Sequence, residues 1–138
     1  INFKGVFFGS KHAVRAMKRA GGGTIINLSS LAGLIPGIGT VGYGATKASV
    51  IHLTKTIAVE YGPANIRANA LCPGVIITEG MGAASAAKTP DKASRNPLGR
   101  AGTPEDAANL AAFLASDKAT YLNGVIIPLD GGWSCKMA

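Results

Sequence analysis

The sequence has 138 residues, 47% of them hydrophobic and 15% charged, with 19 glycines and 6% aromatics; this suits a single α/β domain and excludes a disordered or disulfide-built chain. No apolar run approaches the ~20 residues that cross a bilayer, and the two distant cysteines, Cys72 and Cys135, match neither a metal-ligand spacing nor a disulfide framework. The net charge of +7, from 14 Lys and Arg against 7 Asp and Glu, is densest at Lys11, Arg15, Lys18 and Arg19; lacking interleaved aromatics or a nucleic-acid motif, it reads as a solvated helix face, with no nucleic-acid partner expected.

From Asn2 to about Arg19, the residues Val6, Phe7, Ala13, Val14 and Met17 recur near a helical period, and Gly21, Gly22 and Gly23 end the pattern. The cysteine pattern leads to the expectation of a reducing cytoplasm and no metal, and the opening INFKGVFF, with no signal-peptide pattern and no initiator Met, to that of no membrane association and some residues upstream. Thr24 to Leu28, TIINL, is the β-branched, apolar run of a buried parallel strand. Residues 42 to 61 carry Ala45, Ala48, Ile51, Leu53, Ile57 and Ala58 on apolar faces and stop at Gly62-Pro63, which predicts a second helix.

IRANALC, residues 66 to 72, predicts another strand, closed by Pro73-Gly74. Residues 79 to 101 are rich in Gly, Ala, Ser and Lys and are expected to be a mobile segment able to act as a lid. Thr103-Pro104-Glu105-Asp106 starts a helix, with an N-cap hydroxyl, Pro at the first helical position and acids in the first turn. GVIIP, 124 to 128, supplies a last strand before DGGWS. This alternation predicts βαβ units on a parallel sheet. The first helix then has no strand before it, and strand 24 to 28 is expected to lack a neighbour on one side.

GIGTVG, residues 37 to 42, spells the G-x-G-x-x-G of a dinucleotide-binding turn. Such a turn sits tight against a strand end and is followed about twenty residues later by an acid at the next strand end. Here the strand ends near Leu28, and Glu60 falls late in the helix that follows, so the glycines read as a loop ahead of a helix, relieving crowding near a substrate or cofactor face. The residues behind them carry more chemistry. Tyr43 and Lys47 are four apart on one helical face, and an ammonium beside a phenol favours the phenolate, as a general acid/base requires. Ser30 stands thirteen residues before Tyr43, at the strand end where α/β proteins place their chemistry. Taken one at a time, these residues could equally be a core tyrosine, a turn serine and a solvated lysine.

The ordered set of Asn2 in NFKG, Ser30 in INLSSLAG, Tyr43 and Lys47 in YGATK, CPGVIIT at 72 to 78 and DGG at 130 to 132 resembles the carboxyl-terminal half of the short-chain dehydrogenase/reductase family. The resemblance implies a Rossmann-like doubly wound α/β fold of which about three strands are present, in one partial domain over 1 to 138. It implies an NAD(P)-dependent oxidoreductase that transfers hydride between nicotinamide and a carbonyl or alcohol. Tyr43 would be the acid/base and Ser30 would hydrogen-bond the substrate oxygen. Lys47 would favour the phenolate and bind the nicotinamide ribose, while Asn2 would fix a water linking Lys47 to solvent. Pro73, Gly74, Ile76 and Thr78 would lie at the nicotinamide, and 79 to 101 would be the substrate loop, whose Met81 and small residues suit an uncharged substrate. Helices 2 to 19 and 42 to 61 would pair across a two-fold axis in a homo-oligomer. The family's own glycine-rich turn and the residue that separates NAD from NADP have no counterpart here, so the chain alone is expected to bind cofactor weakly or not at all. The alternative is a non-catalytic interaction module that keeps the oligomer helices.

Overall fold

A computed structural model of the chain describes residues 1–79 and 96–136. Helix α1 (Lys4–Ala20) turns Ser10 and Val14 inward and keeps its lysines and arginines outside, and the backbone N–H of Gly21 caps it on the Met17 carbonyl. Strand β1 (Gly23–Leu28) follows, then a 3-10 turn at Leu31–Gly33 and the long helix α2 (Val41–Tyr61). Strand β2 (Ile66–Pro73), helix α3 (Pro104–Ala115), strand β3 (Ile126–Leu129) and a final turn of helix α4 (Trp133–Lys136) complete the described chain.

The three strands form one parallel sheet in the order β1-β2-β3, with Gly23 opposite Ile66 and Ala70 opposite Ile126. The fold is therefore α/β, the Rossmann-like half expected, and among the described residues β1 pairs only with β2. β2 is the centre. Its alternate residues Ile66 and Ala68 pack with Val14, Ile25, Ile57 and Ala58 under α1 and α2, while Leu71 packs with Leu114 and Ala119 under α3. A strand buried on both faces needs an almost continuous apolar run. Two polar residues interrupt it and are satisfied: the Arg67 guanidinium donates to the Leu114 and Leu122 carbonyls, and the Asn69 amide donates to Leu122 and accepts from Val125 N–H.

That asparagine explains the one shifted strand. GVIIP was expected over 124 to 128, yet the β3 ladder begins at Ile126: Gly124 N–H and the Val125 carbonyl already bond the β2 backbone at Ala68 and Ala70, but Val125 N–H goes to the Asn69 side chain. Residues 80–95, most of the expected mobile loop and including Met81, lie outside the described residues.

Candidate active site

Every strand of a parallel sheet delivers its carboxyl end to the same edge, and here that edge collects the stretches singled out in the sequence. β1 ends at Leu28 and is followed by Ser29 and Ser30; β2 ends at Pro73; β3 ends at Leu129, followed by Asp130. Helix α2 starts beside them. Its N-cap is Thr40, whose hydroxyl accepts the Tyr43 N–H at 3.4 Å, so GIGT forms the lead-in loop and only Val41 and Gly42 enter the helix. Gly39 adopts φ +75° and lies so close that an added Cβ would stand 3.2 Å from Cδ1 of the Tyr43 ring. Of the loop's glycines, Gly39 is the one that bears on the tyrosine.

Lys47 lies one turn after Tyr43. Its Nζ donates to the Leu28 carbonyl at 3.0 Å and stands 5.7 Å from the centroid of the Tyr43 ring. One of its three ammonium hydrogens is thereby committed, and the others remain for a ligand. Tyr43 itself is about a third exposed (37%). Ser30 has extended backbone and caps the 3-10 turn, accepting the Ala32 N–H on Oγ at 3.2 Å. Its own O–H donates to no group among the described residues.

Two neighbours not singled out in the sequence hold this arrangement. Ser29 is buried and its Oγ donates to the Lys47 carbonyl at 2.8 Å, while its backbone N–H bonds the Leu71 carbonyl at 2.8 Å. Gly33 faces the Lys47–Ala48 peptide so closely that a Cβ would come within 2.7 Å of the Lys47 carbonyl carbon. The doublet in NLSS was the only signal for Ser29. Cys72 lies below: burial pushes its thiol up, opposed by hydrogen bonding from Ser29 and the Ser30 backbone and by the charge of Lys47.

On the β2 side, Gly74 N–H continues the ladder to the Leu129 carbonyl at 2.9 Å, and its Cα faces Asp130. Ile76 bridges Gly102 in parallel through Gly102 N–H to Val75 and Ile77 N–H to Gly102, a pattern that leaves the N–H and C=O of Ile76 outside the bridge. Thr78 is exposed. Burial raises the Asp130 carboxyl, yet hydrogen bonds from Ser134 and Gly132 outweigh it and hold it below the usual range, where it caps α4. Asn2 lies ahead of α1 and is exposed. The structure thus joins Tyr43, Lys47 and the Leu28–Ser30 strand end, sets Pro73 to Thr78 at the end of the next strand, and places Asn2 just ahead of α1. Among the described residues no group of His, Cys, Asp and Glu could hold a metal ion, and no helix is long and apolar enough to cross a membrane.

A parallel α/β sheet flanked by helices, with Ser30, Tyr43 and Lys47 near its carboxyl edge, defines a Rossmann-like architecture. The sequence pattern of the family described as Enoyl-(Acyl carrier protein) reductase matches residues 1–134. Among characterised relatives, 3beta-hydroxysteroid dehydrogenase 2 of Eggerthella lenta is 44% identical over 97% of the chain, and the 2,5-dichloro-2,5-cyclohexadiene-1,4-diol dehydrogenase LinX of Sphingobium indicum is 41% identical over 97%. A short-chain type dehydrogenase/reductase from Mycobacterium marinum superimposes with a TM-score of 0.90 at 42% identity, covering 97% of this chain and 54% of that one. ElxO with NADP bound (TM-score 0.88, 33% identity, 97% of this chain and 55% of that one) and 4-hydroxyisoleucine dehydrogenase complexed with NADH (0.87, 32%, 98% and 57%) have the same fold. The chain belongs to the short-chain dehydrogenase/reductase family. It spans about half the length of those two characterised relatives, 54% of each.

Proposed function

We propose that this chain carries the catalytic half of an NAD(P)-dependent short-chain dehydrogenase/reductase acting on a small carbonyl or alcohol. The observation that supports it best is the placement of the Lys47 ammonium between the Leu28 carbonyl, 3.0 Å away, and the Tyr43 ring, 5.7 Å from its centroid. A tyrosine side chain about a third exposed can reach a substrate, and the fixed cation beside it can orient what binds there. In this reading Tyr43 gives a proton to a carbonyl oxygen, or removes it from an alcohol. Ser30, whose O–H has no acceptor among the described residues, donates to that same oxygen as its negative charge grows. Asn2 completes a relay through water to Lys47.

The residues fit a nicotinamide nucleotide. Lys47 has ammonium hydrogens left for ribose hydroxyls, the backbone of Ile76 stands outside its bridge for the carboxamide, Pro73 and Gly74 shape the turn beneath, and Thr78 is exposed beside it. Bound there, NAD or NADP supplies the hydride acceptor or donor. The solved neighbours bound to NADP and NADH support this cofactor class. We further propose a single domain over 1 to 138 with the substrate loop at 79 to 101, a homo-oligomer through helices 2–19 and 42–61, and a cytoplasmic setting.

The deciding experiment is Tyr43→Phe in an NAD(P)-linked assay of the active protein that carries this segment. Removing the acid/base is expected to lower kcat by ~10²- to 10⁴-fold with the fold intact by circular dichroism. Turnover that survives the change would discard the reading.

A further inference from the structure

Tyr43 and Lys47 ride on α2, whereas Ser30 rides on the end of β1, so their alignment depends on how the helix is registered against the strand. Three contacts set that register where the site lies. Lys47 Nζ reaches the Leu28 carbonyl at 3.0 Å, Gly33 sits against the Lys47–Ala48 peptide, and the buried Ser29 hydroxyl donates to the Lys47 carbonyl at 2.8 Å. Ser29 differs from the others because its side chain hydrogen-bonds the backbone of the very residue whose ammonium works at the site, where Gly33 only packs against it. Its own backbone is held in turn, through N–H to the Leu71 carbonyl of β2 at 2.8 Å. A chain of hydrogen bonds therefore runs from the central strand, through Ser29, to the helical turn carrying Lys47.

The Lys47 carbonyl lies within α2, where the helix already supplies it with a donor four residues on. A bond from Ser29 is therefore not needed to satisfy a buried polar group. Its effect is on position. It is also short and partly buried, which strengthens it relative to a bond in open solvent.

We propose that Ser29 is a positioning residue for the hydride-transfer site: its hydroxyl fixes the Lys47 turn relative to the end of β1, and so fixes the ammonium against Tyr43 and Ser30. The inference rests on the catalytic reading given above. Positional errors near 1 Å cost up to ~10²-fold in rate, so losing the tether acts on the chemical step more than on binding.

The test compares Ser29→Ala, Ser29→Thr and Asn123→Ala. Asn123 donates to the Ala58 carbonyl of the same helix at 3.0 Å and accepts the Ala68 N–H at 2.9 Å, far from the site; its removal loosens α2 without touching the Lys47 turn. Ser29→Ala is expected to lower kcat about tenfold with KM little changed, and Ser29→Thr, which keeps the hydroxyl, to restore most of it. Asn123→Ala is expected to lower the melting temperature and leave kcat per folded molecule unchanged. In parallel, nuclear Overhauser contacts between the Lys47 side chain and the Tyr43 ring, measured on the 138-residue chain, should weaken in Ser29→Ala and persist in Ser29→Thr. Unchanged kcat and unchanged contacts in Ser29→Ala would overturn the proposal, as would a loss in Asn123→Ala equal to that in Ser29→Ala. If Tyr43→Phe abolishes turnover while Ser29→Ala does not reduce it, the positioning role fails alone; if Tyr43→Phe is active, the catalytic reading itself fails.

Discussion

Gly33 shows how narrow the tolerance of the site is. A Cβ there would stand 2.7 Å from the Lys47 carbonyl carbon and 2.8 Å from the Ala48 nitrogen, both backbone atoms that cannot turn aside. Gly33→Ala must therefore push the turn carrying Ser30 away from α2. Overpacking of this kind costs ~1–3 kcal/mol, and the displacement falls on Ser30, so both the melting temperature and kcat are expected to drop; a variant with normal turnover would show that the turn can shift harmlessly. Ser30, Tyr43 and Lys47 were legible in the sequence because their residue types and spacing carry chemistry. Ser29 and Gly33 were not, since their importance lies in a helix crossing a strand end, which spacing along the chain does not encode.

At the scale of elements, legibility followed locality. The start of α3 was readable because all its signals lie within four residues: the Thr103 hydroxyl accepts the Asp106 N–H at 3.3 Å, the Asp106 carboxylate accepts the Thr103 N–H at 2.8 Å, and Pro104 opens the helix. The start of β3 was misplaced because Asn69, distant in sequence and on another strand, takes the N–H of Val125. The α3 cap also gathers Arg100, which holds Asp106 at 2.7 and 3.1 Å. The Arg100 guanidinium, then the Thr103 N–H, hold the Asp106 carboxyl well below the usual carboxylate range. A depressed acid stabilises the fold above its unfolded pKa of about 3.9 and loses that contribution as the pH falls through the folded value. The melting temperature should therefore decline as the solution is acidified below about pH 4. Arg100→Gln should flatten that decline, modestly because the pair is exposed; an identical slope in the variant would place the acid sensitivity elsewhere.

For the whole molecule, three strands in parallel with β1 at one border describe a sheet whose first described strand has a neighbour on one side only. Exposed Phe7 and Phe8 on α1 and Val59 on α2 add apolar surface on the helices proposed to pair between copies. Sedimentation velocity of the 138-residue chain with NADH, followed at both the protein and the nucleotide absorbance, addresses oligomer and cofactor together. The expected result is a species larger than a monomer carrying little or no nucleotide. A monomer would remove the pairing proposal, and nucleotide travelling with the protein at micromolar concentration would show that this half rebuilds a dinucleotide site.

The parallel pairing of Gly23 with Ile66 and of Ala70 with Ile126 has a consequence in time. Neither ladder can be nucleated by a tight hairpin, because parallel neighbours are joined by long crossovers, the first of which contains all of α2. Two distant stretches must meet before any rung of the sheet forms, and the entropy of closing so long a loop is lost before the first contact repays it. Such topologies reach the native state far more slowly than helical bundles of similar length. An α2 formed early shortens that search, because it carries the chain from the end of β1 back towards the start of β2.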